Sequence, residues 1–230
     1  MKPPAVERLA DNALLLRFAD RMDVDANRNA LRLAERLREQ APAWLRDVVP
    51  AYASLAVFFD ARRIDSVDPQ AFVATALAAL MADLGACVAV AARIVEIPVC
   101  YDGPLAPDLA DAASLLGVSP ETLVQRHSAA PYTVAMIGFA PGFPYLIGLP
   151  EALAMPRLAT PRTEVPAGSV AIGGNQTGIY PRASPGGWRL IGRTPLRLFD
   201  AARAVPSLLM PGDQVVFRRI DAGAFAKWPQ

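Results

Sequence analysis

The sequence predicts an α+β protein with two domains. A small α/β domain covers residues 1–92, and a β-barrel or sandwich domain with a helical pair at about 108–128 covers 93–230. Three observations predict it. At about 150 residues per domain, a chain of 230 residues makes one or two domains. Of 15 glycines, only Gly85, Gly103 and Gly117 precede residue 131, so turn-forming positions crowd the second part. Apolar residues recur at helical spacing in the first part and in short alternating runs in the second. At this length roughly 70% of the unfolded chain's surface can be buried, so neither a disulfide nor a metal is needed as a staple.

In order along the chain, Val6–Leu9 and Ala13–Phe18 read as short strands about a turn at Asp11-Asn12. Residues 26–40 set Leu31, Leu33, Ala34 and Leu37 among Arg and Glu, the pattern of an amphipathic helix. Tyr52–Phe59 alternates and then runs apolar, as a central strand does. Asp68 and Pro69 supply an N-cap and a first-turn proline for a helix over about 69–83. Arg93–Val99 alternates again and leads into the second domain. In 108–128 two helices meet at Leu116-Gly117-Val118-Ser119, with Ser119 capping the second over Pro120 and Glu121. The spacing is similar to a DNA-binding helix-turn-helix. Charge argues against that use: Asp108, Asp111 and Glu121 oppose only Arg126, which offers phosphates almost nothing. A helical pair packed beside the β-domain is expected instead. From 131 to 220, the runs YTVAMIGFA, GSVAIGG, WRLIGRTP, LRLFD and DQVVFRRI, separated by Gly and Pro, indicate the strands of a barrel or sandwich. The stretch 142–166 is long for a hairpin, and long loops on a rigid sheet are where binding lives.

Composition narrows the chemistry. Lys+Arg 23 against Asp+Glu 22 leaves a charge of +1, so no nucleic-acid partner is expected. His127 is the only histidine, HExxH is absent, and Cys87 and Cys100 match no zinc spacing, so no metal site is expected. The two cysteines form no disulfide framework and MKPPAVERLADNA lacks a signal peptide's apolar core, which together predict a cytoplasmic protein. The most apolar stretch, Ala71–Ala92, is interrupted by Thr75, Asp83 and Gly85, so no membrane span is expected. The only lysines, Lys2 and Lys227, lie near the termini, and GxxxxGK[ST], GxGxxG and GxSxG are all missing. One histidine, carboxylates and arginines remain for any chemistry.

The arginines are unevenly placed. Between Ala152 and Phe199 stand Arg157, Arg162, Arg182, Arg189, Arg193 and Arg197, against Glu164 as the only acid. Arginines on Gly/Pro loops suit a small anionic substrate, a carboxylate, carbamate or phosphate, held by bidentate forks. Arg157 and Arg162 lie in PRLATPR, each behind a proline that lowers the entropy lost on binding. Gly173 to Pro181 (GGNQTGIYP) follows a strand: its glycines permit close backbone approach, and Gln176 and Thr177 offer amide and hydroxyl partners. Phe139, Phe143 and Tyr145 in GFAPGFPYL line a pocket, an interface or a core. His127 suits an acid, a base or an anion ligand, and equally a structural histidine at a helix end.

Taken together, His127-x4-Tyr132, GFAPGFPYLIGLP, PRLATPRTEVPAGSVAIGGNQTGIYP, SPGGWRLIGRTP, LFD and PGDQVVF closely resemble the KipI family, also called allophanate hydrolase subunit 1, which includes the B subunit of 5-oxoprolinase. PAYASLAVFFD and the 108–128 pair look like the same family; Ala10-Asp11 departs from an expected Gly-Asp or Gly-Glu turn. The resemblance implies a small N-terminal α/β domain and a cyclophilin-like β-barrel. It implies a KipA-like partner and a third 5-oxoprolinase subunit, acting together in the ATP-driven opening of 5-oxo-L-proline to L-glutamate. ATP would enter through the complex, and nothing biotinylatable stands in this chain. On that reading His127 and Arg162 are the catalytic candidates, with Arg157, Gln176, Thr177, Tyr180 and Arg193 binding substrate. The family also implies two alternatives: an inhibitor of a histidine kinase, and a carboxyltransferase-like module of urea or allophanate metabolism. The fold hosts unrelated functions, so catalytic roles do not transfer with it.

Overall fold

The computed structural model describes residues 4–83 and 92–229. Lys2, Gly85 and Cys87 lie outside the described residues. The chain divides into two compact units, one ending at Ala91 and the other beginning at Ala92.

The first unit is an antiparallel sheet of β1 (Ala5–Ala10), β2 (Ala13–Arg17), β3 (Leu45–Ala51) and β4 (Ser54–Phe59), in the order β1-β2-β4-β3. Two helices, α1 (Val24–Gln40) and α2 (Pro69–Asp83), complete it. Ala10 pairs with Ala13, which places the first turn at Asp11-Asn12 as expected. The Asp23 carboxylate accepts from the Ala26 N–H and starts α1 two residues earlier than its apolar pattern does. Its buried stripe is Ala26, Ala30, Leu33, Ala34 and Leu37; Leu31 is only half-buried, one position off the centre of the packed face. Strand β4 is central, but it begins at Ser54, because Tyr52 turns the chain at φ +51°. The Asn27 side chain donates to the Tyr52 carbonyl and holds that turn to the helix. Strand β3 has no counterpart among the sequence expectations; it contains Pro50, which the sheet tolerates because β3 is an edge. Asp68 caps α2 by accepting from the Ala71 N–H, as expected.

The second unit settles barrel against sandwich. Seven strands close: β5 (Ile94–Cys100), β6 (Tyr132–Ile137), β7 (Pro144–Ile147), β9 (Ser169–Gly173), β10 (Gln176–Ile179), β12 (Arg189–Arg193) and β13 (Gln214–Ile220), in the order β10-β7-β6-β13-β5-β12-β9. Closure removes the open edges that a sheet otherwise exposes. Two short strands, β8 (Arg162–Val165) and β11 (Ser184–Gly186), pair with each other outside it. LRLFD is not a strand; Phe199 makes a single bridge to Ser207. Helices α3 (Leu109–Leu115) and α4 (Pro120–Ala129) form the expected pair, and the Ser119 hydroxyl accepts from the Thr122 N–H. Ala112, Ala113, Leu123 and Val124 join Ile97, Val134, Leu146, Val170, Ile172, Ile191 and Phe217 in the barrel's core. A short helix, α5 (Ala222–Ala226), follows the last strand. Among the described residues, no helix is long and apolar enough to cross a membrane.

Candidate functional site

The barrel wall has two chemically different faces, and the candidate residues divide between them. His127, on α4, is fully buried inside. Its Nδ1 lies 3.0 Å from the Tyr101 hydroxyl and its Nε2 lies 3.1 Å from Thr177 Oγ1. The Thr177 hydroxyl in turn donates to the Ala171 carbonyl at 2.9 Å. A carbonyl only accepts, so the direction of the whole chain follows: His127 donates from Nε2 to Thr177, and Tyr101 donates to His127 Nδ1. Burial pushes the imidazole pKa down to about 3, so the ring is neutral at pH 7. It stacks on Phe217 at 4.7 Å between centroids. The Tyr101 phenol is driven the other way, well above its ordinary range, chiefly by burial.

Across the wall, the outer face carries a row set by register. Leu190 pairs with Ala171, Ala171 with Gly178, and Gly178 with Tyr145. The two central positions are small, which lets rings pack directly against this stretch of sheet. A Cβ on Gly178 would come within 3.0 Å of the Phe143 ring, and one on Gly173 within 2.6 Å of the Trp188 ring. Gly173-Gly174-Asn175-Gln176 is thus a two-residue hairpin turn with Gly174 at φ +66°, and its first glycine serves an indole. Phe143, Tyr180 and Trp188 are buried together over Ala171, Val165 and Leu190. Phe143 meets Tyr145 at 4.9 Å, Tyr180 at 5.2 Å and Trp188 at 5.7 Å. Phe139 stands at the margin, 62% exposed, with its ring 5.3 Å from Phe143 and 6.2 Å from Tyr180. Gln176 opposes Gly173 across the hairpin and so shares this outer face, whereas Thr177 points inward to His127.

The six arginines sort by their partners. Arg162 places Nη1 at 2.9 Å and Nη2 at 2.6 Å from the two carboxylate oxygens of Asp108, and Asp108 also accepts from the Leu190 N–H at 2.7 Å. Arg189 donates to the Pro156 carbonyl and Arg193 to the Ala167 carbonyl. Arg197 pairs with Asp200. Arg182 is exposed at the surface. Arg157 lies over the Trp188 ring, 5.7 Å from its centroid, with no carboxylate partner among the described residues. Burial raises the Tyr145 and Tyr180 phenol pKa values, and the positive charge of Arg157 opposes both rises. At Tyr180 the Trp188 backbone amide opposes it first, with Arg162 adding a smaller pull.

The structure therefore brings Arg157, Tyr145, Tyr180, Phe139 and Phe143 to one face. It places His127 and Thr177 inside, and Arg162 and Arg193 in contacts with the chain itself. Two residues of this face escaped sequence reasoning. Trp188 had a signal, the Gly186-Gly187 pair before it and the Gly173 opposite. Asp108 had none, since its partner lies 54 residues away. Among the described residues, no three His, Cys, Asp or Glu side chains are grouped to hold a metal.

One part of Kluyveromyces lactis urea amidolyase has the same fold: this chain matches it with a TM-score of 0.74 at 19% identity, over 97% of this chain and 15% of that one. The class is a carboxyltransferase-type fold. A family model described as "Carboxyltransferase domain, subdomain C and D" matches residues 4–209, and the chain belongs to that family. It is 41% identical over 221 residues to the B subunit of 5-oxoprolinase from Bacillus subtilis (strain 168), covering 94% of this chain and 92% of that protein. The crystal structure of TTHA0988 matches with a TM-score of 0.79 at 41% identity, over 92% of this chain but only 40% of that longer one.

Proposed function

We propose that this chain is a subunit of an ATP-dependent 5-oxoprolinase, opening 5-oxo-L-proline to L-glutamate together with a KipA-like subunit and a third subunit. The similarity to the Bacillus subtilis 5-oxoprolinase protein along nearly its whole length supports the reaction. One observation supports this chain's share in it: Arg157, exposed and set on an aromatic floor, with no carboxylate of its own among the described residues. A guanidinium braced by an indole is a ready receiver for a carboxylate or a phosphoryl oxygen. Opening an ATP-activated lactam develops negative charge, and a fixed cation stabilises that charge without reorganising. Gln176 and Tyr145 share the face and would orient the lactam amide. Arg162 acts through Asp108 as a positioning residue, tying the 156–165 segment to the start of α3. His127 braces the wall from inside through Thr177 and Ala171. Acid–base groups and the nucleotide site come from the partners.

The test is co-expression with the two partner subunits and measurement of ATP-dependent glutamate release from 5-oxoproline. Arg157→Ala is expected to lose about 1.5–3 kcal/mol of charge-assisted binding, roughly 10- to 150-fold in kcat/KM. A complete assembly that releases no glutamate would overturn the reaction; an Arg157→Ala assembly with unchanged kinetics would overturn the site.

A further inference from the structure

The loop before β7 holds a feature that the anion site alone does not require. The Ala140 N–H donates to the Gly138 carbonyl at 2.7 Å, a three-residue turn centred on Phe139 at φ +66°. This is the positive-φ form of the γ-turn, rare and strained, and a bulky residue is its least favoured occupant. The strain is held in place from both sides: the Phe143 N–H donates to the Ala140 carbonyl, and the Gly138 N–H donates to the Phe143 carbonyl. What the turn achieves is to keep the Phe139 ring standing in water at the edge of a buried aromatic floor. Phe139 and Arg157 border the same aromatic floor, with Tyr180 next to the Phe139 ring and within reach of the Arg157 charge, and backbone strain that presents an exposed aromatic on such a floor is the arrangement of a ligand clamp.

We infer that Phe139 is a specificity-determining residue of the Arg157 site, packing its ring against the apolar body of a compact carboxylate whose charged end rests on Arg157. The inference builds on the proposed function and names the ligand class for that site: a small ring or short chain with one carboxylate and an apolar flank. Tyr180 and Phe143 back the Phe139 ring, and Trp188 links this end of the floor to Arg157. A carboxylate without an apolar flank would touch Arg157 and leave Phe139 uncovered.

The experiment uses the assembled complex and reads both binding and turnover. Calorimetric titration compares 5-oxoproline with acetate on the parent, Phe139→Gly and Arg157→Ala. Phe139→Gly is chosen because glycine accepts φ +66° without strain, so the variant should melt at or above the parent temperature. Expected for Phe139→Gly is a roughly tenfold weaker 5-oxoproline Kd and a matching rise in KM, with acetate binding and kcat unchanged. Arg157→Ala should weaken both ligands. If Phe139→Gly binds 5-oxoproline as the parent does, while the parent turns it over, the clamp is refuted and the proposed function stands. If the parent assembly neither binds nor opens 5-oxoproline, the proposed function fails and the ligand assignment falls with it.

Discussion

His127 makes the acid stability of the barrel predictable from one group. Its folded pKa is held near 3 by burial, while an unfolded histidine titrates near 6.5. A depressed folded pKa means that the unfolded chain binds the extra proton first. The neutral ring's contribution is therefore complete above about pH 6.5 and is lost as pH falls toward 3. The limiting slope is about 1.4 kcal/mol per pH unit, and integration between pH 7 and 5 gives a loss of about 2 kcal/mol. At roughly 2–4 °C per kcal/mol for a chain of this size, the melting temperature should drop by roughly 4–8 °C. The window is clean because His127 is the only histidine in the chain, and ordinary carboxylates have barely begun to titrate at pH 5. Scanning calorimetry at pH 7, 6 and 5 measures it on the full chain, in the transition that contains the second unit. His127→Gln keeps an amide N–H for Thr177 and a carbonyl for Tyr101 but cannot take a proton. It should melt lower than the parent at pH 7, yet show little change down to pH 5. A parent whose transition does not move between pH 7 and 5, or a variant with the parent's slope, would refute the reasoning.

Three further substitutions separate the two faces. Thr177→Val keeps the volume but removes the hydroxyl that links His127 to Ala171, and should cost about 1–3 kcal/mol in denaturant unfolding. Gly173→Ala drives a methyl to 2.6 Å from the indole, so it should shift Trp188 fluorescence and cost about 1–3 kcal/mol. Arg162→Ala strands the buried Asp108 carboxylate. With the arginine side chain itself 31% exposed, the loss should be about 2 kcal/mol in the same unfolding measurement, whereas Arg157→Ala should stay within about 1 kcal/mol of the parent.

Much of the fold was legible because it rests on local signals. The Asp68-Pro69 helix start, the Asp11-Asn12 turn and the Ser119 cap each depend on residues within one turn of each other. Strand β3 carries Pro50, and a proline is acceptable in a strand only at an edge position that the finished sheet defines. LRLFD has strand-like residues and no strand partner beyond one bridge. The arginine cluster was visible as a count, but its meaning lay in pairings across long loops. Arg162 reads as free beside Glu164 in sequence, and it is committed to Asp108 in space. Likewise the negative charge of the helix-turn-helix pair is plain in its residues, while nothing local shows that its first acid is spent inside the fold.

Among the described residues, Arg157 and Arg182 make no hydrogen bond or ion pair to the chain, and of these two Arg157 is the one that lies over an aromatic ring. An arginine can recognise an anion only if no internal carboxylate already fills its fork, and only if its position is fixed before the ligand arrives. Arg162 and Arg197 fail the first condition, since Asp108 and Asp200 occupy them. Arg189 and Arg193 spend their Nε–H groups on backbone carbonyls, which stiffens the loops they cross. Arg157 meets both conditions, because an indole fixes a guanidinium without consuming its donors. The indole is itself fixed by a glycine on the opposite strand, and the neighbouring strand positions are held from behind by the neutral histidine. The stability of the inner face and the readiness of the outer one are thus two consequences of the same wall of small residues.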